Sequence, residues 1–320
     1  MSRFVVVAVL AACGSSSGLP GDGGADARVD APPDALPCGL RTGKRGLTHR
    51  TIIAAGLERT YLVYLPPPAD PSAAMPLVFV HHGYTMSGQA MYDVTAYAAL
   101  ADSEHIALAF PDGQGGPNAV TAPWNVGANV CPSTAGPPPV ATGDDFAFLD
   151  AMKADIAEDQ CLDRDHVFVT GFSMGGYFAH HVGCLRDDIR AVAPASGGTH
   201  DLAACTTGHK PIIMFHGLAD PVIPAGCDDP ASLPVPGVTP AATAWAAKNG
   251  CATTATARSV SGGTCYTYDG CPADGQVELC TFTGMGHCWA GGPASAGVYA
   301  CPPYAEATRL EWEFFRHYAW

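Results

Sequence analysis

Five residues carry the clearest chemistry in the chain. Gly171-Phe172-Ser173-Met174-Gly175 fits the spacing G-x-S-x-G, after the run Val167-Phe168-Val169-Thr170 and before a stretch of helical periodicity that starts at Met174. A serine between glycines suits neither a strand nor a helix. It suits a strand-to-helix corner so tight that neighbours two positions away must lack side chains, with the hydroxyl left exposed. The helix N-terminus beneath it would favour developing negative charge. Gly176 would let that helix approach the sheet closely. The alternative is a glycine-rich turn with an idle serine.

A serine hydroxyl is a weak nucleophile until a base takes its proton, and the base needs an orienting acid. After a corner of this kind the partners follow in the order serine, acid, histidine. Asp220, in Met214-Phe215-His216-Gly217-Leu218-Ala219-Asp220, lies just past an apolar run. His287, in Gly284-Met285-Gly286-His287-Cys288, lies past the last one. Asp228, Asp229, Asp269 and Asp274 compete as acids, but none directly follows a strong apolar run. Of twelve histidines, His81, His82 and His216 fall at strand ends, and His180 and His181 on a helix. The oxyanion of an acyl-transfer intermediate needs two donors. The backbone N–H of Met174 is one candidate. The N–H of Tyr84, after the run Pro76–His82 and the turn residue Gly83, is the other, with His82 packing beneath that loop as an alternative role for this segment.

The elements that must position these residues alternate along the chain. Strands are expected at 60–66, 76–83, 106–113, 166–170, 189–198 and 211–220, with a closing pair at 265–268 and 276–284. Helices are expected at 87–105, 144–161, 174–187, 241–250 and 306–320. Apolar strands separated by helices predict a mostly parallel, twisted sheet covered on both faces, in one doubly wound α/β domain. The irregular stretches 114–143 and 221–240 are rich in Pro and Gly, where such folds build sites.

Composition narrows the function classes. The chain has 320 residues, 48% of them apolar, and a net charge of −14. That balance argues against nucleic acid, which requires clustered Lys and Arg. No apolar run reaches the roughly 18 residues of a membrane-spanning helix. The start is different in kind. Arg3, the apolar run Phe4–Leu10 and Ala11-Ala12-Cys13 read as a short signal peptide over 1–12. Leu10-Ala11-Ala12-Cys13 resembles a bacterial lipobox, which implies lipidation at Cys13, and the absence of Asp after it leans towards the outer membrane. A buried strand is the alternative for this run. Residues 14–37 hold little besides Gly, Ser, Pro, Ala and Asp, and read with Cys13 as a solvated tether. The catalytic domain is then 38–320, exported and attached to a membrane only through its lipid.

Setting Cys13 aside leaves twelve cysteines, which fits an oxidising compartment and disulfide-rich loops. Hairpin register pairs Cys265 with Cys280 and leaves Cys251 with Cys271. Cys288 has two candidate partners, Cys301 and Cys227. Cys131 with Cys161 and Cys184 with Cys205 are assigned without geometric warrant, and Cys38 takes whichever remains. No C-x-x-C pair occurs, so neither a zinc ribbon nor a thioredoxin-type site is expected, and serine-based acyl transfer requires no metal or organic cofactor.

The segments His81-His82-Gly83-Tyr84-Thr85-Met86-Ser87-Gly88, Phe110–Gly113 with Trp124–Gly127, Cys161–Cys184, His216–Pro224 and Gly284–Gly292 together resemble the secreted α/β-hydrolase esterases grouped as polyhydroxybutyrate depolymerase-like and feruloyl esterase-like proteins. The similarity runs from about 58 to 292. It implies the α/β-hydrolase fold, with Ser173 as nucleophile, Asp220 as orienter, His287 as base, and Tyr84 and Met174 as oxyanion donors. It also implies Trp124 and Trp289 as aromatic residues near the substrate. Some fungal members bridge a cysteine before the serine to one after the histidine; Phe172 occupies the first of these places here, so that bridge cannot form. The expected activity is serine-dependent carboxylic ester hydrolysis through an acyl-enzyme. The substrate is a feruloyl or acetyl ester of plant-wall polysaccharide, or a short polyhydroxyalkanoate ester, with no obligate protein partner. A serine peptidase and a non-catalytic surface binder are the alternatives.

Overall fold

The computed structural model describes residues 38, 41, 43–67, 70, 73–128, 130, 132–139, 141–199, 202–225 and 239–319. The signal peptide, Cys13 and the tether lie outside the described residues, as do Cys131 and Cys227. Among the described residues no helix is long and apolar enough to cross a membrane.

Ten strands make one sheet. They are β1 (Gly46–Ala54), β2 (Leu57–Leu65), β3 (Met75–His81), β4 (Ala107–Pro111), β5 (Leu162–Phe172), β6 (Ala191–Ala195), β7 (Ile212–Gly217), β8 (Ala255–Val260), β9 (Gly263–Tyr268) and β10 (Val277–Phe282). Their order is β1-β2-β4-β3-β5-β6-β7-β10-β9-β8. The middle, from β4 to β10, is parallel. The flanks are antiparallel, β1–β2–β4 on one side and β10–β9–β8 on the other. The fold is an α/β-hydrolase with a mixed, mostly parallel sheet.

The strand sequences explain why helices cover both faces. Side chains alternate across a strand, and here both alternating sets are apolar. Leu77 and Phe79 of β3, Val167 and Val169 of β5, and Ile212 and Met214 of β7 enter one core with Phe148, Phe178 and Trp245. Val78 and Val80, Phe168 and Phe172, and Ile213 and Phe215 enter the other with Tyr97, Leu310 and Phe315. The first face carries α3 (Asp145–Asp159), α4 (Met174–Leu185) and α5 (Pro240–Lys248). The second carries α1 (Gly88–Thr95), α2 (Tyr97–Glu104) and α6 (Ala307–Phe315).

Three differences from the sequence reading have physical causes. The helix expected over 87–105 is two helices, broken at Ala96 with φ 52°. Thr308 Oγ1 on α6 donates to the Thr95 carbonyl at 2.7 Å, an oxygen that an unbroken helix would use internally. Strands β1 and β8 were not expected. Both are sheet edges, and β8 is largely exposed. Cys161 pairs with Cys38, not with Cys131. Cys161 stands at the N-terminal end of β5, whereas the connection holding Cys131 leaves the C-terminal end of β4, on the opposite edge. The N-terminal segment is delivered to Cys161 by Arg41, which donates to Gln160 O at 2.8 Å, and by Arg45, which donates to Gln160 Oε1 at 2.7 Å. The remaining described bridges are Cys184–Cys205, Cys251–Cys271, Cys265–Cys280 and Cys288–Cys301. The choice left open for Cys288 thus falls to Cys301. That bridge sits beside a two-stranded ladder of β11 (Trp289–Ala290) and β12 (Ala300–Cys301).

Candidate active site

Ser173 occupies the corner between β5 and α4 with φ 57° and ψ −117°. A non-glycine residue there costs about 1–3 kcal/mol, a strain typical of functional corners. The flanking glycines are required by contact. A Cβ on Gly171 would lie 2.4 Å from Gly175 O, and a Cβ on Gly175 would lie 2.3 Å from His81 O. The two glycines face each other across the corner and press it against the end of β3. Gly176 is equally close to β6, where a Cβ would lie 2.7 Å from Ala195 O.

Asp220 follows β7 and His287 follows β10, which is the neighbour of β7 in the sheet. Gly217 ends β7 where a Cβ would lie 2.3 Å from Met285 O, and the Ala219 N–H donates to the same oxygen at 3.0 Å. These contacts lay the base loop directly across the acid loop. His287 Nε2 lies 2.8 Å from Ser173 Oγ, and His287 Nδ1 lies 2.7 Å from Asp220 Oδ2. A carboxylate on Nδ1 fixes the tautomer: Nδ1 carries the proton and Nε2 accepts from the serine hydroxyl. This is the geometry of a serine-hydrolase active site.

Asp220 Oδ1 accepts from the N–H groups of Val222 at 2.8 Å and Ile223 at 3.0 Å. Burial pushes this carboxyl up. The hydrogen bond and charge of His287 and the two N–H groups push it down more strongly, and the net shift is downward. The group therefore stays a carboxylate and accepts only.

Two histidines not assigned to the triad support it. His216, at the end of β7, donates from Nε2 to Ile223 O at 2.8 Å and so closes the turn that holds Asp220. Burial holds its pKa below the ordinary histidine value. His82 sits beneath the loop after β3. Its Nε2 accepts from Gly113 N–H at 2.8 Å, so Nδ1 carries the proton and donates to Gly83 O at 2.6 Å. Burial lowers its pKa to about 4, which keeps it neutral. Gly83 O also accepts from Met86 N–H at 3.0 Å. In a trans peptide the carbonyl and the following N–H point in opposite directions. Pinning Gly83 O therefore aims the Tyr84 N–H. The loop abuts the nucleophile, since a Cβ on Gly83 would lie 3.1 Å from Ser173 Cβ. The sequence did carry a signal for both residues: each is a histidine directly before a glycine where an apolar run gives out.

The structure corrects the expectation for two tryptophans. Trp124 and Trp289 are 0% and 1% exposed. Trp124 Nε1 donates to His82 O at 2.8 Å, and Trp289 Nε1 donates to Thr308 Oγ1 at 3.2 Å. Neither ring offers a face to a ligand. Trp124 instead packs against His82, with ring centroids 4.9 Å apart. The side chains nearer the nucleophile are Phe172, whose ring centroid lies 4.8 Å from that of His287, and Tyr299, 6.0 Å from Phe172.

The long connection after β4 is tied down at several points. Buried Arg59 pairs with Asp145 at 2.8 Å and donates to Asp112 O at 3.1 Å, joining the two ends. Thr134 binds the acid loop through its N–H to Val222 O at 2.8 Å and its Oγ1 to Pro221 O at 3.0 Å. Two clefts, of about 420 and 530 Å³, lie elsewhere on the molecule and include no triad residue. Among the described residues, the group with metal-ligand proximity is Cys265, Glu278 and Cys280. Its two sulfurs are bonded to each other, which removes the thiolates a metal would need.

Comparison with known proteins agrees with this geometry. Residues 54–184 match the family described as "Putative esterase", and residues 142–230 match the dienelactone hydrolase family. The chain is 31% identical over 272 residues to feruloyl esterase C of Emericella nidulans, covering 80% of this chain and 83% of that one. It is 29% identical over 243 residues to feruloyl esterase B of Piromyces equi, covering 72% of this chain and 42% of that longer protein. The solved acetyl xylan esterase from Aspergillus awamori superposes with a TM-score of 0.55 at 15% identity, covering 84% of this chain and 99% of that one, a likeness of fold alone. The resemblance expected from the motifs holds on its esterase side, and not specifically for polyhydroxybutyrate depolymerases. By its similarity to the Emericella protein over most of both lengths, and by the serine, histidine and aspartate it brings together, the chain belongs to the feruloyl esterase C-like family of α/β-hydrolase esterases.

Proposed function

We propose that this esterase hydrolyses feruloyl or acetyl esters carried by plant-wall polysaccharide. The observation that carries the reaction class is the unbroken relay from Ser173 Oγ through His287 to Asp220. The substrate class rests on the names of the relatives. Ser173 Oγ attacks the ester carbonyl while His287 Nε2 takes the hydroxyl proton, and Asp220 stabilises the imidazolium that forms. The tetrahedral oxyanion is received by the N–H groups of Met174 and Tyr84. Met174 is the first residue of α4, so its N–H has no acceptor inside the helix. Collapse expels the alcohol, which takes its proton from His287. Water then attacks the acyl-enzyme with His287 again as base, and the acid leaves Ser173 free.

A fluorophosphonate probe reports activated serines. It is expected to label the wild-type chain and not Ser173→Ala; a wild type that resists labelling refutes the reaction class. Initial rates on methyl ferulate, acetylated xylan and hydroxybutyrate oligomers test the substrate. A preference for the oligomers overturns the plant-wall assignment.

Export and lipid anchoring through Cys13 complete the reading. Support comes from the signal-like start and from the five described disulfides, bonds that persist in oxidising compartments. Radiolabelled palmitate should enter the wild type and not Cys13→Ser; equal labelling refutes the anchor.

A further inference from the structure

We propose that Arg59 is a positioning residue for the oxyanion hole: its buried guanidinium acts on the Tyr84 N–H through one peptide and the His82 ring. The proposal rests on the esterase reading above, in which that N–H receives the oxyanion, and adds to it a group that belongs neither to the triad nor to the loop after β3.

Arg59 lies on β2. Its side chain is 5% exposed, beside an Asp145 side chain that is 1% exposed. A buried ion pair is a poor means of gaining stability, because desolvation can exceed the attraction. What this pair holds in place accounts for it better. Arg59 Nη2 lies 2.8 Å from Asp145 Oδ1 and donates to Asp112 O at 3.1 Å. The guanidinium carbon stands 4.1 Å from the centre of the Phe148 ring, which fixes its face as the pairing fixes its edge.

From Asp112 O the series of contacts is unbroken. Asp112 O and the Gly113 N–H are the two ends of one peptide, and in a trans peptide they point in opposite directions. That N–H donates to His82 Nε2 at 2.8 Å, and His82 Nδ1 donates to Gly83 O at 2.6 Å. Gly83 O and the Tyr84 N–H are the two ends of the next peptide. Every member is polarised in the same direction. A cation on Asp112 O strengthens the Gly113 N–H as a donor, a firmer bond to Nε2 strengthens the Nδ1–H, and the pull on Gly83 O strengthens the Tyr84 N–H. Hydrogen bonds linked in this way reinforce one another. Burial, and after it the Arg59 charge, keeps His82 neutral, the state in which one ring nitrogen accepts while the other donates.

A second arm of the ion pair reaches the same histidine. Asp145 Oδ2 accepts from the Asn125 N–H at 2.6 Å. The residue before it, Trp124, donates from its indole to His82 O at 2.8 Å. Asp112 is itself anchored, Oδ1 accepting from the Gly88 N–H at 2.8 Å and Oδ2 from Thr60 Oγ1 at 2.9 Å. Arg59 and Asp145 together therefore set His82 by its ring and by its carbonyl.

The test is a mutant cycle in the full chain. Arg59→Met with Asp145→Asn removes the cation without leaving a buried carboxylate unpaired, and the amide oxygen can still accept from the Asn125 N–H. On p-nitrophenyl acetate, kcat should fall about ten-fold with KM within about two-fold. A trifluoromethyl ketone, whose adduct with Ser173 places an oxyanion where the intermediate has one, should bind about ten-fold less tightly. His82→Gln keeps an acceptor for the Gly113 N–H and releases Gly83 O, which cuts the series. In that background the same two substitutions should lower kcat less than about two-fold further. Urea denaturation checks that each variant folds. If the paired variant does not, Arg59→Lys replaces it in the cycle, with kcat expected to fall about two- to five-fold alone and not at all beside His82→Gln. An unchanged kcat, a loss carried by KM, an unchanged affinity for the ketone, or losses that multiply across the two backgrounds overturns the proposal. A wild-type chain that does not hydrolyse p-nitrophenyl acetate overturns the esterase reading instead.

Discussion

His82 separates two roles that a buried residue can play, and substitution can tell them apart. Its Nδ1–H pins Gly83 O, and its Nε2 holds Gly113 N–H. Asparagine places an amide N–H where Nδ1 stands and leaves Gly113 without its acceptor. Glutamine places a carbonyl oxygen where Nε2 stands and releases Gly83 O. Each variant loses one buried hydrogen bond, so each should cost a similar 1–3 kcal/mol, or about that, of stability. Their effects on turnover should differ. Releasing Gly83 O removes about 1 kcal/mol or more of bias on the peptide that carries the Tyr84 N–H. Complete loss of an oxyanion donor costs about 2.7–4 kcal/mol of barrier. His82→Gln should therefore fall between these limits, with kcat down roughly 10- to 100-fold and KM changed less than about two-fold. His82→Asn should keep kcat within about three-fold. The assay is steady-state hydrolysis of a soluble ester, with urea denaturation of both variants for comparison. Equal losses of kcat in the two variants, or a loss carried by KM, would refute the assignment of His82 to the oxyanion peptide.

Asp220→Asn should lower kcat by about 10⁴ with little change in fold, because the amide favours the wrong imidazole tautomer; a fall under ten-fold in steady-state kinetics rules out the relay. Glu311→Gln should flatten the pH dependence of stability. Glu311 is fully buried; Tyr97 OH donates to it at 2.9 Å, and Thr170 Oγ1 lies 3.0 Å from it and 2.7 Å from Ala193 O. One hydroxyl proton cannot serve both acceptors, so the carboxyl supplies a proton, and burial raises its pKa well above the usual value. Because the folded pKa is raised, this stabilisation is full below the unfolded value and is lost as pH rises towards the folded one. The wild type should lose up to about 1.4 kcal/mol per pH unit in that window relative to Glu311→Gln; parallel stability curves from pH 5 to 8 would contradict the protonated state. Replacing Cys288 and Cys301 together by Ala should cost about 3 kcal/mol, the closure entropy of a short loop, and should lower kcat; full activity in the double variant would show that the bridge has no part in placing His287.

The triad was legible because each member follows a strand whose apolar run is strong in sequence, and because glycines mark the corner at Gly171 and Gly175. The parallel core was legible for the same reason: strands buried on both faces are written as continuous Val, Ile, Leu and Phe. The sheet edges were not. In β1, Thr48, Arg50 and Ile52 alternate with Leu47, His49 and Ile53, and neither set is purely apolar; its place is fixed by backbone pairing with β2. The break at Ala96 was hidden because its cause, Thr308, is remote in sequence. The role of Trp124 was misread because an aromatic residue near a cleft and one beneath it look alike in sequence. Its complete burial and its bond to His82 O distinguish them. Cys161 was misassigned because spacing does not say which edge of a sheet a loop departs from.

The Cys288–Cys301 bridge is adjacent in sequence to the general base, and its loop ends beside Tyr299, which reaches across to Thr85. The base therefore takes its place in a segment that is fastened by oxidation, while the nucleophile corner is shaped by glycines and needs no such fastening. In a chain whose thiols are still reduced, the hydroxyl would be presented before its partner is secured. Closing this one bridge is thus the covalent step that stands beside completion of the relay.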